Sequence, residues 1–535
     1  MRVAPDARVG APPHGDLADA PARPARASAV RTAVALAIGA AILVAIVLRF
    51  VTKSDLWSDE ALSVNIANLP LHDLHAALEQ DGAPPLYYLL LHGWMRVFGT
   101  GDFTVRAMSG LFSLATLPAV WAAGRRLDRR RSELALPDED RSTVAWAAVL
   151  LLASSPFAIR YATETRMYAL VMFLVACGYL AVLRAFDEPT VPRLAAVAAV
   201  TGLLLYTHYW AFALVGVVIA FLAATAIRGA HRRAAVRLLV AVGVGCLTFL
   251  PWVGTFLYQE RHTGTPWGNP LSPASGTSAA ILGFGGSTRP LAWGLLLLVL
   301  LALFARALDR RHVEVDLWTR PGVRAEIAVA FGALWCGLVI SYAGKSTFDP
   351  RYASVMFPLF LLAAAFGVAA FQSRIFRYGV VALAVALGFA GGWKNVSTNR
   401  TQAAQVANVI NASAHQGDLV LYCPDSAGPD VNRLIDSWHG LREATFPDFQ
   451  SPQRVDWVDY QRRTDVSPLT FAEQAIGVAG RHDIWYVWSP GLNGLRDKCE
   501  RILDALGIMR PHHDRILEPD PAYFEHAGLV HYALG

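Results

Sequence analysis

The chain has 535 residues, of which 54% are hydrophobic and only 17% charged. Soluble globules carry about a quarter charged residues, and one core absorbs an apolar helix or two, not apolar stretches recurring over almost 400 residues, so a soluble single-core protein is excluded. The net charge of +5 does not point to nucleic acid, because the arginines sit in short clusters between apolar runs and no basic, aromatic-lined groove is visible.

Residues 1–30 are rich in Ala, Pro, Arg and Gly without an apolar period, and predict a disordered cytoplasmic arm. The first apolar run begins only near Val34, which argues against a cleavable leader. That run, 31–51, is long enough to span a bilayer. A polar, aromatic-rich segment follows at 52–102. The next run, 103–124, ends in Arg125, Arg126, Arg129, Arg130 and Arg131. Further spans are expected at 143–159, 165–184, 194–208, 211–227, 236–257, 290–306, 325–343, 352–371 and 377–393.

Orientation follows from arginine. With the N-terminus inside, Arg125 to Arg131, Arg184 with Arg193, Arg228 to Arg237, Arg306 to Arg324, and Arg374 with Arg377 all fall in inside loops. The alternation predicts a mainly α, multi-pass protein of the inner (plasma) membrane, with about eleven transmembrane helices over 31–394 and a C-terminal domain, 395–535, outside the cytoplasm. In that domain 417–425 and 482–490 read as β-strands and Gly494 to Leu506 as an amphipathic helix, which predicts a soluble α/β fold. Cys177, Cys246 and Cys336 lie in apolar runs as packing residues. Cys423 and Cys499 are free to pair if the tail lies outside the reducing cytosol.

Unusual polar residues collect on the external side. Trp57-Ser58-Asp59-Glu60 follows the first span. Its carboxylates suit a general base that deprotonates an acceptor hydroxyl at the lipid–water boundary; the bland alternative is an N-cap at Ser58 or Asp59 opening a surface helix. Asp81 precedes Pro84-Pro85-Leu86-Tyr87-Tyr88 and a helix to Phe98 lying in the interface. Arg160 to Tyr168 forms an external hairpin whose Arg160, Glu164 and Arg166 either satisfy one another or hold a phosphate. Lys345 and Arg351 head a span against the positive-inside trend; an arginine fork there suits a phosphodiester, and a snorkelling cation is the alternative. His208, beside Tyr209 and Trp210, is a minor candidate.

On these residues the chain resembles the polytopic GT-C glycosyltransferases, in particular the group of protein O-mannosyltransferases and the bacterial aminoarabinose transferase. The resemblance runs from Trp57-Ser58-Asp59-Glu60 through Pro84 to Tyr88, Phe103 to Ser109 and Glu164 to Leu170, covering about 33–230 with a weaker match at 351. It implies a GT-C bundle whose external loop 52–102 carries the active site, and inverting transfer of a sugar from a polyprenyl-phosphate donor to a hydroxyl of an envelope glycolipid, polysaccharide or protein. On that pattern Asp59 is the catalytic base and Glu60 its neighbour. Arg106, Arg166 and Arg351 are candidates for the lipid phosphate, with Glu164, Tyr168, Lys345, Asp81 and His208 around the substrates. Mannose is the preferred sugar. No cofactor is required, although Asp59 and Glu60 are able to hold one divalent cation such as Mg2+ or Mn2+. No β-trefoil module is visible, and the tail matches no known module.

The rival readings are a transporter or flippase of lipid-linked sugars, an arabinosyl-type transferase, and a receptor whose tail binds a ligand. A transporter places polar, broken helices at mid-membrane, often in inverted repeats. The transferase reading requires Asp59, Arg166 and Arg351 to converge on one cavity.

Overall fold

The structure, a computed structural model, describes residues 23–133, 142–229, 231–265, 268–437, 440–490 and 494–534. The expected N-terminal arm lies outside them as far as residue 22, whereas residues 23–30 already belong to the helix Arg23–Leu48.

Lipid dictates the first part of the chain, because a backbone in hydrocarbon must satisfy its own hydrogen bonds. Among the described residues, six helices are long and apolar enough to cross a membrane: Asp102–Arg131, Tyr168–Asp187, Ala211–Arg228, Arg232–His262, Arg324–Ala343 and Arg374–Ser397. Two broken pairs extend the set, Thr143–Ser154 with Pro156–Ala162 bent by 55°, and Pro273–Gly285 with Arg289–Phe304 bent by 109°. Thr32–Leu48, Val191–Leu205 and Phe357–Val368 are shorter apolar helices. Every run read as a span carries a helix, but at most 8 meet the test of length and composition. Phe357–Val368 is short because all of its residues are buried, so protein rather than lipid surrounds it.

The first broken pair aims chain at the functional end. Pro156 cannot continue a helical hydrogen-bond ladder, and Ser155 Oγ caps the new helix by accepting from Ala158 N at 3.1 Å. Helix Arg374–Ser397 packs across the break at Gly388, where a Cβ would stand 2.6 Å from the Ser154 carbonyl oxygen. The second pair places a further helix between the spans expected at 236–257 and 290–306. Its first helix, Pro273–Gly285, has only 13 residues, too few for a span, and is rich in Gly, Ala and Ser. A hairpin of β1 (Ala305–Ala307) and β2 (Val313–Val315) also escaped the sequence reading.

Between the first two spans lie three helices, Ser58–Ala67, Leu71–Asp81 and Leu86–Phe98. The third buries Tyr87, Tyr88, Leu91 and Met95 and exposes Leu89, Leu90, Val97 and Phe98, the two faces of an interfacial helix. Ser58–Ala67 is buried along most of its length and its N-cap is Trp57, so a surface helix capped by Ser58 or Asp59 is ruled out.

The tail is a five-stranded sheet in the order β4-β3-β5-β7-β6, formed by β3 (Leu419–Cys423), β4 (Arg442–Thr445), β5 (Ile484–Trp488), β6 (His513–Leu517) and β7 (Gly528–Tyr532). β3 is parallel to β4 and β5, while β7 runs antiparallel to β5 and β6. Both central strands are buried on both faces, which explains their unbroken apolar sequences. Val420 and Tyr422 face helix Ala403–Ser413 through Val406 and Ile410. Leu419, Leu421 and Cys423 face the opposite layer, helices Pro468–Ala479 and Lys498–Met509. A disulfide joins Cys423 to Cys499 of the latter helix.

The tail docks on the helices between the spans. Trp457 N donates to Gln80 O at 3.0 Å, Asn65 Nδ2 to Gln453 O at 2.7 Å, and Arg433 pairs with Asp102 at 2.9 Å.

Candidate active site

The site grows from the first turn of helix Ser58–Ala67. Asp59 Oδ2 accepts from Arg351 Nη1 at 2.7 Å, and Arg166 Nη2 stands 3.8 Å away. Arg166 also donates to Ser63 Oγ at 3.0 Å, one turn along the same helix. Asp59 keeps 26% of its side-chain surface exposed, against 14% for Arg166 and 12% for Arg351, so the carboxylate is the most accessible of the three charged groups. Burial alone would raise the Asp59 carboxyl, but the charges of Arg166 and Arg351 outweigh it and hold the group below the ordinary aspartate value.

Aromatic rings wall this cluster. The Arg351 guanidinium lies 5.6 Å from the Trp57 ring, 6.0 Å from Tyr168 and 5.9 Å from Tyr352. His208 packs between Tyr168 and Tyr352, at 5.6 and 5.5 Å. Its Nδ1 accepts from Trp210 N, and burial, helped by Arg166 and Arg351, lowers its pKa to about 3, so this histidine is neutral. Asp81 accepts from the Tyr88 hydroxyl at 2.7 Å. Burial raises its carboxyl above the usual range despite the pull of Arg166.

Three donors around Asp59 lack a hydrogen-bond acceptor among the described residues: Trp57 Nε1, Arg166 Nε and Arg351 Nε, all buried. Arg351 Nε has only a longer ionic contact, 3.5 Å from Asp349 Oδ2. Unpartnered buried donors are costly, and three of them beside Asp59 would make a cradle for an anionic oxygen group.

Glu60 points elsewhere. Its carboxylate takes both Arg106 Nε and Nη2, at 2.8 and 2.6 Å, and the Thr165 N–H at 2.7 Å. It is 0% exposed, and Arg400 stands 3.8 Å away. Burial pushes its carboxyl up, and the Arg106 and Arg400 charges overcome that and keep it ionised. Arg106 is further engaged by the carbonyls of Ser54 and Asp55. Neighbours in sequence, the two carboxylates serve different arginines. They do not converge as a cation site, and Arg106 braces the motif from behind instead of joining Arg166 and Arg351. Among the described residues no group of three His, Cys, Asp or Glu side chains is placed to hold a metal ion.

Glu164, expected at the substrate, is 1% exposed and paired with Arg160 at 3.1 Å, with Arg400 at 3.9 Å. Lys345 is exposed at φ 53° on the turn ahead of Arg351 and does not enter the cluster. The structure therefore brings together Asp59, Asp81, Arg166, Tyr168, His208 and Arg351. It adds Trp57, which stands inside the first quoted motif, together with Ser63 and Tyr352, the latter next to Arg351 in sequence. Arg400 carried no signal in the sequence, since it lies alone beyond the last span.

No family model matches the chain, and no curated protein matches it. Solved structures do. ArnT from Cupriavidus metallidurans bound to undecaprenyl phosphate superposes with a TM-score of 0.57 at 14% identity, over 93% of this chain and 97% of that one. The same protein in the apo state gives 0.55 at 13% identity, over 94% and 99%. The agreement extends over bundle and tail together, so the chain has the GT-C fold, and the tail is part of that likeness.

Proposed function

We propose that this protein is a membrane glycosyltransferase that takes a sugar from a polyprenyl-phosphate carrier and transfers it, with inversion, to a hydroxyl acceptor of the cell envelope. The observation that carries the reading is the partly exposed Asp59 carboxylate, set between Arg166 and Arg351 whose Nε donors have no hydrogen-bond acceptor among the described residues. The GT-C fold shared with a protein solved with undecaprenyl phosphate supports it.

The chemistry needs a base for the acceptor and cations for the departing phosphate. The acceptor oxygen attacks the anomeric carbon on the face opposite the phosphate, forming the new glycosidic bond. Asp59 takes the hydroxyl proton. The bond from anomeric carbon to phosphate oxygen breaks, and the polyprenyl phosphate leaves with the electron pair, held by Arg166 and Arg351. In the free protein those arginines hold Asp59 ionised, which makes it a weak base. A phosphate in the cradle engages the same guanidiniums through planar, charge-assisted bonds. Asp59 then loses part of its cationic partnership while staying largely buried, and its proton affinity rises toward that of a working base. We place this site and the tail on the extracytoplasmic side of the inner membrane, in line with the arginine-rich loops assigned to the other side and the Cys423–Cys499 disulfide.

The test is sugar transfer in membranes carrying wild type or Asp59→Asn, with radiolabelled polyprenyl-phosphate mannose and, separately, the corresponding arabinose donor. Transfer that falls roughly a hundredfold or more in the variant supports the reading. Equal transfer in both proteins removes Asp59 as the base. A wild type inert toward both donors counts against the transferase itself.

A further inference from the structure

The helix that carries Asp59 does not cap itself. Its N-cap residue is Trp57, which offers no side-chain acceptor to the first turn. The acceptor comes from the far end of the chain: Glu525 Oε2 takes the Ser58 N–H at 2.8 Å, 467 residues away in sequence. Ser58 Oγ donates to Ser426 O, also in the tail, at 2.6 Å. The Glu525 backbone is fixed on both sides, its N–H donating to Arg400 O at 2.8 Å and its carbonyl accepting from Gln402 N at 3.1 Å. Next to it, the Phe524 ring stands edge-on to Trp57 at 5.3 Å, and the Arg160 guanidinium lies over Phe524 at 5.8 Å. Trp57, Ser58 and Arg160 are thus all touched by residues 524–525.

We propose that Glu525 is a positioning residue, through which the tail caps the active-site helix and sets where Asp59 stands against Arg351. The role of Asp59 rests on the transferase reading; the cap does not. An N-terminal acceptor from the same helix would fix only that helix. An acceptor from the tail fixes the helix relative to a second rigid body, and a first-turn residue such as Asp59 moves with any change in that register. Asp430 supports Glu525 from within the tail: the two carboxyls are hydrogen-bonded to one another, and Thr401 Oγ1 holds Asp430 at 2.6 Å. Burial, then the Asp430 charge, raises the Glu525 carboxyl well above its ordinary value, and burial lifts Asp430 to about 6, the behaviour of two carboxyls sharing a proton.

Full-length protein in detergent, as wild type, Glu525→Ala and Glu525→Gln, gives the test. Glutamine keeps an acceptor oxygen for the Ser58 N–H and a donor for Asp430, so it serves as the conservative rescue. We expect faster amide hydrogen exchange over 57–67 in Glu525→Ala alone. We also expect kcat to fall roughly ten- to a hundredfold in Glu525→Ala while KM for the polyprenyl-phosphate donor stays within about twofold, with Glu525→Gln restoring most of the loss. Unchanged exchange in Glu525→Ala overturns the cap. Faster exchange with wild-type kcat overturns the positioning role. Should the wild type prove inert toward every donor, the transferase reading fails by itself, and exchange over 57–67 still decides whether Glu525 holds the helix. If Glu525→Ala does not fold, exchange and kcat in Glu525→Gln and Asp430→Asn decide: near-wild-type values in the first and loss in the second uphold the arrangement, and loss in both overturns it.

Discussion

Arg351 Nη1 lies 2.7 Å from Asp59 Oδ2, although 292 residues of chain separate the two. The contact joins the helix after the first span to the head of a much later one, and on the proposed mechanism it is the contact that the donor phosphate disturbs. Replacing Arg351 by alanine removes one of two cations that oppose burial at Asp59, so the carboxyl rises. A base works only when unprotonated, so activity is lost as pH falls through its pKa. Raising that pKa therefore moves the acid limb of the kcat/KM profile to higher pH. We expect this shift in Arg351→Ala together with a rise in KM for the donor, and a smaller KM effect in Arg351→Lys, which keeps the charge without the fork. An acid limb that stays in place in Arg351→Ala would show that Asp59 is not the group being titrated.

The Glu60–Arg106 pair makes a different prediction. Both partners are buried, at 0% and 7% side-chain exposure, and Arg400 depends on the same carboxylate. Glu60→Gln leaves Arg106 without its counter-charge and Arg400 with Glu164 alone, and breaking a buried pair costs about 3–5 kcal/mol. Its unfolding temperature in detergent should fall well below that of wild type, whereas Asp59→Asn, at a side chain that is 26% exposed, should unfold close to wild type. A Glu60→Gln protein as stable as wild type but inactive would return Glu60 to the chemistry.

These two carboxylates mark where the sequence stops being readable. The spans were legible because hydrocarbon demands long apolar runs, and Asp59 was legible because a carboxylate after a span is unusual. That Asp59 turns to Arg351 while Glu60 turns to Arg106 depends on a helix whose first turn points successive side chains in different directions, and on partners from four distant segments. The strand pattern shows the same limit. β3 and β5 read clearly because both faces are buried, while β6, exposed along most of its length and rich in charge, has the composition of a loop. Glu525 and Arg400 stand in segments with no periodicity at all, and only the docking of the tail gives them a role.

Cys423 and Cys499 close a loop with a sequence separation of 76. Cross-linking a loop of that length restricts the unfolded chain by about 4 kcal/mol on the entropy model. Reduction, or the double change Cys423→Ser with Cys499→Ser, should destabilise the tail by an amount of that order. Alkylation after denaturation should label three cysteines without reductant, Cys177, Cys246 and Cys336, and five with it. Five labelled from the start would mean that the bond is absent in the purified protein.

Asp425 should make the stability of the tail depend on pH. It is 4% exposed, at the end of β3, and accepts from the Tyr460 hydroxyl at 2.6 Å. Burial raises its pKa from 3.8 to about 7, more than the Tyr460 bond and the Arg463 charge can offset. Between those two values the folded tail keeps a proton that the unfolded chain releases, so the folded state binds more protons and stability falls as pH rises. The contribution is fully present below pH 4, declines across the interval, and is gone above pH 7. Asp425→Asn keeps an acceptor oxygen for Tyr460 and stays neutral at every pH. The variant should match wild type near pH 4 and exceed it at pH 8 by an amount on the order of 4 kcal/mol. Near-ultraviolet circular dichroism of the full-length protein in detergent follows the melt. The other carboxyls of the tail, Asp430 and Glu525 among them, titrate alike in both proteins, so the difference between the two melting curves isolates Asp425. Curves that fall in parallel from pH 4 to pH 8 would assign the slope to those other groups and leave Asp425 ionised inside the fold.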